Sequence, residues 1–444
     1  MTQSSPVPKD RLVDIFRAAL EAVDPYRAVA RHADEILSRY GKGGFRRLYV
    51  LAFGKAASPM VRAVADRMGH AVTGGMAITK YGHHVEAGKS LRIDVHEAGH
   101  PLPDENGLKA TAEVMRLAGT FDAHTFALCL ISGGGSALLV APYGAVSLRE
   151  KQEATDLLLK AGAEIHELNA VRKHASKVKG GRLAEIAFPA TIESLILSDV
   201  IGDRLDVIAS GPTAPDGTTY DDAVKVIEKY GLTRQVAPSI LHLLREGAAG
   251  RAPETPKAGS PVFLRVTNRV VGNNGSALEA ARRRAAELGF DAAVVSGEVR
   301  GEARDVGRRL AEAALAAREA GPRVPGGTGE GRCLISGGET TVTVKGHGLG
   351  GRNMELALAF ALGVEGAEGI ALLSAGTDGT DGPTDAAGAI VDGQTAVKAR
   401  ARGIEPEKYL TDNDSYHFFQ EAGGLFRSGP TGTNVMDMQV MLVE

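Results

Sequence analysis

A cluster of carboxylates lies in one glycine-rich stretch, residues 374–388, immediately after a short apolar run. The stretch holds Asp378, Asp381 and Asp385. Carboxylates that lie close together repel one another unless a hard cation or a shared proton offsets their charge. The position of this loop after a predicted strand favours Mg²⁺ and phosphate chemistry over a solvated acidic loop, and the spacing does not match an EF-hand.

Two further loops offer groups that bind anions, and each follows an apolar run typical of a buried strand. Ser132–Ser136 reads Ser-Gly-Gly-Gly-Ser, in which the glycines let the backbone approach a ligand and present several N–H groups to one anion. Lys55 follows the run 48–53, and a cation at the carboxyl end of a strand can neutralise phosphate or carboxylate oxygens. A tight turn without a ligand and an ordinary surface lysine are the alternatives.

Other charged residues follow predicted strands or open predicted helices. Asp199, after another apolar run, is a candidate base or metal ligand. Lys173 lies in a basic stretch, 169–179, that either flanks an acidic substrate or is solvated. Arg352 opens a helix after residues 346–351, which match G-x-G-x-x-G but lack the acidic residue and the first βαβ unit of a dinucleotide fold. A planar guanidinium at that place suits phosphate.

These loops are positioned by apolar runs that alternate with amphipathic helical stretches, the pattern of βαβ units and a largely parallel sheet. The chain is predicted to be α/β with two domains, residues 1–250 and 255–444, separated by the Pro- and Gly-rich stretch 247–260. A second such stretch, 321–331, is predicted as an exposed loop. The predicted strands are residues 48–53, 76–79, 91–96, 126–131, 192–197, 262–267, 292–296, 332–336, 341–345, 369–374 and 435–442.

Composition and charge narrow the class of protein. Of 444 residues, 51 are Lys or Arg and 54 are Asp or Glu, so the net charge is −3 and no basic field marks a nucleic-acid-binding protein. No apolar run reaches the ~18 residues of a membrane span, and the N-terminus contains no apolar secretion signal. Cys129 and Cys333 each lie in an apolar run, so we expect buried thiols in a cytoplasmic protein that binds neither membrane nor nucleic acid.

Taken in order, these motifs resemble the glycerate 2-kinase family, whose C-terminal module is called MOFRL and some of whose members carry the older label hydroxypyruvate reductase. The matching segments are Gly54–Ala56, Ser132–Ser136, Val171–His174, Lys179–Gly181, Ser198–Asp199, Gly337–Thr340, Gly350–Asn353 and Ala375–Gly382. The resemblance covers about residues 10–442. It implies a Rossmann-like α/β/α sandwich as N-terminal domain, a MOFRL-type α/β C-terminal domain, and an active site in the cleft between them.

The resemblance also implies a reaction and the residues that perform it. ATP and Mg²⁺ would serve to phosphorylate the 2-hydroxyl of D-glycerate to 2-phosphoglycerate, so the expected partners are small molecules, with a homodimer left open. The expected catalytic residues are Lys55, Arg352 and Asp378; the substrate-binding residues are Lys55, Lys173, Asp199 and Arg352; the metal-binding residues are Asp199, Asp378 and Asp381. The expected nucleotide-binding residues are Ser132, Gly133, Gly134, Gly135, Ser136, Gly337, Gly338, Glu339 and Asn353.

Two other functions remain as alternatives. An NAD(P)H-dependent hydroxypyruvate reductase would need a dinucleotide motif in its proper context, which the sequence lacks. A non-catalytic sugar-phosphate-binding protein would use the same anion loops without needing the carboxylate loop. Phosphoryl transfer uses cations, anion-binding loops and carboxylates together, because its catalysis is mostly positioning and charge neutralisation.

Overall fold

The computed structural model describes residues 9–83, 92–320 and 331–444. The chain forms two compact units, which we call the N unit, Pro25–Val271, and the C unit, the residues up to Asp24 together with Gly272–Glu444. The predicted α/β class is confirmed, since each unit is built on its own six-stranded sheet with helices packed against it. The predicted loop at 321–331 lies outside the described residues except for Gly331.

The sheet of the N unit has the strand order β3-β2-β1-β4-β5-β6. Its strands are β1 Arg47–Phe53, β2 Val72–Lys80, β3 Ile93–Ala98, β4 Thr125–Ile131, β5 Thr191–Leu197 and β6 Val266–Gly272. Strands β1 to β5 all pair in parallel. This is the strand order of a Rossmann fold, in which the order reverses between β1 and β4 and ligands bind beyond the carboxyl ends of those strands.

Helices separate most of the strands along the chain. They are α1 Lys9–Ala22, α2 Pro25–Ala30, α3 Ala33–Lys42, α4 Ala57–Met68, α5 Glu105–Ala118, α6 Gly135–Leu138, α7 Leu148–Lys160, α8 Ile165–His174, α9 Arg182–Ala187, α10 Tyr220–Lys229, α11 Pro238–Ala248, α12 Asn274–Glu287, α13 Ala303–Glu319, α14 Arg352–Gly363, α15 Thr395–Ala401, α16 Pro406–Thr411 and α17 Ser415–Ala422. In the parts of the chain that the structure covers, no helix combines the length and the apolar character needed to cross a bilayer.

Alternate residues of the N-unit strands are buried on opposite faces of the sheet. In β4, Cys129 and Ile131 join a core that includes residues of α5 and α9, whereas Leu128 and Leu130 join a core with residues of α3 and α4. All residues of β4 are buried, as expected for a central parallel strand covered on both faces. The N unit is therefore the three-layer α/β/α sandwich that the family resemblance implied.

The sheet of the C unit is mixed, with the order β11-β10-β9-β12-β8-β7. Its strands are β7 Asp291–Val299, β8 Arg332–Gly338, β9 Ile370–Gly376, β10 Gly388–Asp392, β11 Leu425–Phe426 and β12 Asp437–Val443. Strand β12 lies antiparallel between β8 and β9, and β10 is antiparallel to β9. The prediction of a largely parallel sheet is wrong for this unit, because an apolar run does not record the direction in which a strand enters a sheet.

Two predicted strands also need correction. Residues 262–267 mostly form a 3₁₀ turn, Pro261–Arg265, that precedes β6. Residues 341–345 contribute a single isolated bridge, from Thr341 to Glu302. Residues 341–345 alternate polar and apolar types and residues 262–267 are mostly apolar, but each pattern is too short to decide between a strand and another conformation.

Helix α1 belongs to the C unit, whereas the predicted first domain, 1–250, contains it. The apolar face of α1, including Leu12 and Phe16, is buried in one core with residues of α12 and β12. Asp14 forms an ion pair with Arg284 of α12, with 2.6 Å between Oδ2 and Nη2. The amphipathic pattern predicts that α1 has a buried face, but nothing local names the distant elements that cover it.

The predicted linker 247–260 is part of the N unit, which ends at Val271 and not near 250. Glu254 Oε1 lies 2.8 Å from His174 Nε2, and Thr255 Oγ1 donates to Asp216 at 3.0 Å. After this segment the chain continues into β6, the edge strand beside β5. Proline, glycine and charge indicate a linker only where the polar atoms remain in water, and here they have partners within the fold.

The loops that follow β1 and β4 approach each other closely at Gly54. This glycine has a φ of +129°, and a Cβ at its position would lie 2.1 Å from Ser132 Oγ and 2.5 Å from the Ser132 carbonyl oxygen. Ser132 N–H in turn donates to the Phe53 carbonyl at 3.1 Å. Any side chain at Gly54 would therefore push the two loops apart.

Replacing Gly54 by alanine should destabilise the N unit by about 2–4 kcal/mol, because the new methyl group meets backbone that cannot move aside. Gly217→Ala is the matched control, since a Cβ there has no atom within 4 Å. Thermal unfolding followed by circular dichroism measures both variants. Equal melting temperatures for Gly54→Ala and Gly217→Ala would contradict the close approach of the two loops.

Candidate active site

Lys55 and the Ser132–Ser136 loop lie side by side at the point where the strand order of the N-unit sheet reverses. The Lys55 N–H donates to the Gly133 carbonyl at 2.8 Å, and the Ala56 N–H donates to Ser132 Oγ at 3.1 Å. A Cβ added to Gly134 would lie 3.2 Å from Lys55 Cγ, so the lysine side chain runs against this glycine. The structure thus brings together the cation and the glycine-rich loop that the sequence identifies.

A buried lysine that the sequence analysis did not select supports this loop. Lys179 Nζ donates to the Ser136 carbonyl at 2.6 Å and to Ser136 Oγ at 3.0 Å. Ser136 Oγ also lies 2.8 Å from Ser210 Oγ, which donates to Asn169 Oδ1 at 3.2 Å. The lysine belongs to a matched family segment, Lys179–Gly181, and that was the available signal for it.

Asp199 and Lys173 differ in how the structure places them. Asp199 is half-buried just beyond β5, whose carboxyl end neighbours that of β4, so it lies on the same sheet edge as Ser132. Lys173 is 1% exposed, and its ammonium lies 3.2 Å from Asp216 and 3.4 Å from Asp206. These carboxylates compensate its charge inside the N unit, as a charge this deeply buried requires, and its contact with substrate stays a prediction.

In the C unit, Arg352 is held by two carboxylates at the start of α14. Its Nε and Nη2 donate to the two oxygens of Asp437 at 2.5 and 2.9 Å, and Nη1 lies 2.7 Å from Glu339 Oε1. Although burial lowers the pKa of Arg352, the hydrogen bonds and charge of Asp437 raise it above its ordinary value. Arg352 is therefore a permanently charged group with a fixed orientation.

Arg352, Asp437 and Glu339 lie together because β12 is antiparallel to the strands on both sides of it. Asp437, the first residue of β12, pairs in register with Gly338 at the end of β8 and with Gly376 at the end of β9. Asp437 is 1% exposed, and burial raises the pKa of its carboxyl while the bidentate guanidinium of Arg352 opposes that shift. The sequence does not single out Asp437, because a lone acid before an apolar strand gives no sign of its partner.

For three of the predicted nucleotide-binding residues in the C unit, packing within the unit explains the type of residue at that position. A Cβ at Gly337 would lie 2.3 Å from Asn274 Oδ1, and one at Gly338 would lie 2.3 Å from the Val299 carbonyl oxygen. Asn353 is buried, and its Oδ1 accepts from Ser374 Oγ at 2.8 Å. Packing inside the C unit accounts for the types of these residues, and their contact with nucleotide stays a prediction, as does that of Glu339, which is half-exposed beside Arg352.

The three aspartates of the 374–388 loop do not form a cluster of shared function. Asp381 is buried and caps α14, with Oδ2 accepting from the Met354 N–H at 2.8 Å and Oδ1 from the Asn353 N–H at 3.1 Å. Burial raises the pKa of Asp381 to about 7, against the lowering effect of these N–H groups. Asp385 is exposed and pairs with Arg427 at 2.9 Å.

Of the three aspartates in this loop, Asp378 stays the candidate for the reactive carboxylate that the sequence predicts. It is half-buried, and its Oδ1 accepts hydrogen bonds from the backbone N–H and the hydroxyl of Thr380, both at 3.1 Å. In the described parts of both units, no three or more His, Cys, Asp or Glu side chains are grouped to hold a metal ion. The carboxyl of Asp381 is buried and caps α14, and its expected metal role stays a prediction.

The loop 346–351, which matches the dinucleotide pattern, has its backbone occupied by protein side chains. Asn413 Oδ1 accepts from the N–H groups of Lys345 and Gly346 at 2.8 and 3.0 Å, and Asp414 Oδ1 accepts from Leu349 N–H at 2.8 Å. Carboxylates at this loop would repel a pyrophosphate. The arrangement supports the rejection of a dinucleotide site at this loop.

Comparison with known proteins covers both units. Residues 11–245 match the family described as "Domain of unknown function (DUF4147)", and residues 332–437 match the MOFRL family. A D-glycerate 2-kinase of Thermotoga maritima is 44% identical over 437 residues, 98% of each chain. A glycerate 2-kinase of Pyrococcus horikoshii is 43% identical over 437 residues, 96% of this chain and 95% of that one. A crystal structure of the glycerate kinase of Thermotoga maritima aligns with a TM-score of 0.86 and 44% identity, covering 98% of this chain and 99% of that one.

Replacing Asp381 by alanine should destabilise the C unit by about 2–3 kcal/mol, because two N–H groups at the start of α14 lose their acceptor in a buried place. Asp385→Ala is the control, and the loss of its exposed ion pair should cost at most about 1 kcal/mol. Thermal unfolding with and without Mg²⁺ measures both. If Mg²⁺ stabilises the native protein but not Asp381→Ala, Asp381 binds metal and the capping role is wrong.

Proposed function

This chain belongs to the glycerate 2-kinase family, and from that premise we propose that it transfers the γ-phosphoryl group of ATP to the 2-hydroxyl of D-glycerate, giving 2-phosphoglycerate and ADP. The observation that carries the proposal is the match to a D-glycerate 2-kinase over nearly the whole of both chains. The positions of Lys55 and Arg352, each held in a fixed place by its surroundings, support it.

The phosphates of ATP bind at the Ser132–Ser136 loop of the N unit, beside Lys55. Hydrogen bonds between the two loops fix the Lys55 backbone, and the first part of its side chain lies against Gly134 of the loop before any ligand arrives. Pre-positioned charge lowers the barrier to phosphoryl transfer, because little rearrangement is needed as negative charge moves onto the leaving oxygen.

Mg²⁺ takes part as the complex of ATP with the ion. Proteins usually hold such an ion through one or two carboxylates together with the substrate phosphates, and the described residues provide no larger carboxylate group. Asp199, on the same sheet edge as the Ser132–Ser136 loop, has hard oxygen donors that suit it. When bound, the ion neutralises charge on the phosphate oxygens.

Within the C unit, the residues that we assign to the reaction are Arg352 and Asp378. Arg352 stabilises the negative charge of the phosphoryl group in transfer, and its bidentate bond to Asp437 keeps the guanidinium in one orientation. Because Asp381 caps α14 and Asp385 pairs with Arg427, Asp378 acts as a single carboxylate. It takes the proton of the 2-hydroxyl as the new O–P bond forms.

The protein works in the cytoplasm on this proposal. Cys129 and Cys333 are free and buried, and burial raises the pKa of both thiols to about 12. Thiols of this kind stay protonated and unreactive, and they need no oxidising compartment.

Incubating the purified protein with ATP, Mg²⁺ and D-glycerate, and then separating 2-phosphoglycerate from 3-phosphoglycerate, tests the reaction and its position together. We expect 2-phosphoglycerate and ADP in equal amounts. A parallel incubation with hydroxypyruvate and NAD(P)H, followed at 340 nm, should show no oxidation. Oxidation there without phosphorylation would replace the kinase by the reductase, and neither activity would favour the binding protein.

Lys55→Ala should lower kcat/KM by roughly 100-fold, equivalent to about 3 kcal/mol of transition-state stabilisation, with little change in melting temperature. Lys225→Ala is the control, because Lys225 is exposed and pairs only across its own helix with Asp221 at 2.7 Å. Steady-state kinetics with both substrates varied provides the measurement. Kinetics of Lys55→Ala that match those of the control would remove Lys55 from the catalytic group.

Mg²⁺ titrations should separate the roles of Asp199 and Asp378. Asp199→Asn should need several-fold more Mg²⁺ for half-maximal rate and recover in excess Mg²⁺, because a weakened metal site is filled by mass action. Asp378→Asn should stay inactive at every Mg²⁺ concentration and lose the acidic limb of the pH–rate profile, as expected for a lost base. Recovery of Asp378→Asn in excess Mg²⁺ would reverse the two assignments.

A further inference from the structure

A cavity of about 410 Å³ opens in the N unit beside the glycine-rich loop. Gly134 and Ser136 line it together with three basic side chains, Lys151 of α7, Arg172 of α8 and Lys179. Apolar side chains, among them those of Leu102, Val140 and Leu159, form other parts of its wall. A cavity of this size lies in the range of pockets that hold cofactor-sized ligands.

Among the described residues, no carboxylate pairs with any of the three basic side chains. Lys179 donates to the carbonyl and hydroxyl of Ser136, and Lys151 Nζ donates to the carbonyls of Arg172 and Ala175 at 3.1 and 3.0 Å. The Arg172 guanidinium makes no hydrogen bond and no ion pair within the described chain. Carbonyl and hydroxyl oxygens orient the ammonium groups of Lys151 and Lys179, but these oxygens carry no full negative charge to neutralise the cations.

This arrangement is costly without a ligand. Burial lowers the pKa of Lys151 to about 7, with repulsion from Arg172 and Arg182 adding to it, and lowers that of Lys179 well below its ordinary value. Burial also lowers the pKa of Arg172. Lys173, another buried cation of the N unit, is by contrast paired with Asp216. Groups left in such a state are typical of a site whose stabilising partner is a bound anion.

We propose that this cavity binds the polyphosphate chain of the nucleotide, with Lys151, Arg172 and Lys179 as phosphate-binding residues in addition to Lys55 and the Ser132–Ser136 loop. The inference rests on the proposed kinase function for the identity of the nucleotide. Three cations match a ligand that carries several negative charges along its length better than the single carboxylate of a three-carbon acid. Such an acid would also leave most of the cavity empty, whereas the apolar wall can contact a base or ribose.

One carboxylate at the cavity does not change this balance. Asp156 of α7 lines the opening, but its side chain is 58% exposed and its Oδ2 lies 2.7 Å from Lys160 of the same helix. Its charge is thus solvated and paired outside the group of cations. The field inside the cavity remains positive, which favours a polyanion.

Arg172→Met provides the test, because this side chain holds no other part of the fold in place. Isothermal titration calorimetry without D-glycerate should show the Kd for ATP and for inorganic tripolyphosphate rise by about 10- to 100-fold, since a charge-assisted contact to phosphate is lost. The melting temperature without ligand should rise by about 2–4 °C, because a repelling charge is removed. Arg172→Lys should recover part of the affinity. Arg116→Met, at an exposed position of α5, is the control and should change neither quantity.

Two outcomes would overturn the inference. Unchanged Kd values for ATP and tripolyphosphate in Arg172→Met would remove the cavity from nucleotide binding. A raised KM for D-glycerate with an unchanged Kd for ATP would assign the cavity to the acid substrate. Because the calorimetry uses no glycerate, it is independent of the reaction: native protein that binds tripolyphosphate through Arg172 but does not phosphorylate glycerate would retain the inference and reject the proposed function.

Discussion

The close approach of the loops after β1 and β4 is the constraint on which the N-unit site depends. A glycine with positive φ at position 54 leaves room for Ser132, and the hydrogen bonds that result tie the Lys55 backbone to the glycine-rich loop. Parallel strands that are buried on both faces hold their carboxyl ends in register, so the loops have little freedom of their own. The lysine is therefore placed by the sheet, and its long side chain needs only to lie against Gly134.

Arg352 of the C unit and the basic residues of the N-unit cavity differ in whether a carboxylate neutralises their charge. In the C unit Arg352 forms ion pairs with Asp437 and Glu339. The buried carboxylate of Asp437 holds the flexible arginine side chain in one orientation. In the N unit Lys151 and Lys179 are oriented by backbone and hydroxyl oxygens, which fix direction without cancelling charge. A compensated cation serves positioning, whereas an uncompensated one retains attraction for an anion. Both are useful to a reaction in which charge moves between phosphoryl oxygens.

Residues of the same type in similar loops have different structural roles. Gly134 borders a cavity, whereas Gly337 and Gly338 are small because Asn274 and the β7 backbone pack against them. Asp378 stays half-buried in its loop, whereas Asp381, three residues later, turns inward to cap α14. A glycine leaves room for a close neighbour and an aspartate accepts hydrogen bonds, whether the neighbour is protein or ligand. The residue type therefore does not show which of the two it contacts.

The sequence by itself determined the α/β class, the family, the three-layer N unit that the family resemblance implied, and Lys55 and the Ser132–Ser136 loop as separate candidate anion-binding groups. All of these follow from local patterns: apolar runs of strand length, glycine-rich turns directly after them, and a series of motifs in order. The tertiary structure alone decided the direction of β12, the attachment of α1 to the C unit, the end of the N unit at Val271, and the partners of Arg352, Lys173 and Asp381. These depend on contacts between residues far apart in the chain, such as Arg352 with Asp437, and no local pattern encodes which distant side chain will neutralise a buried charge.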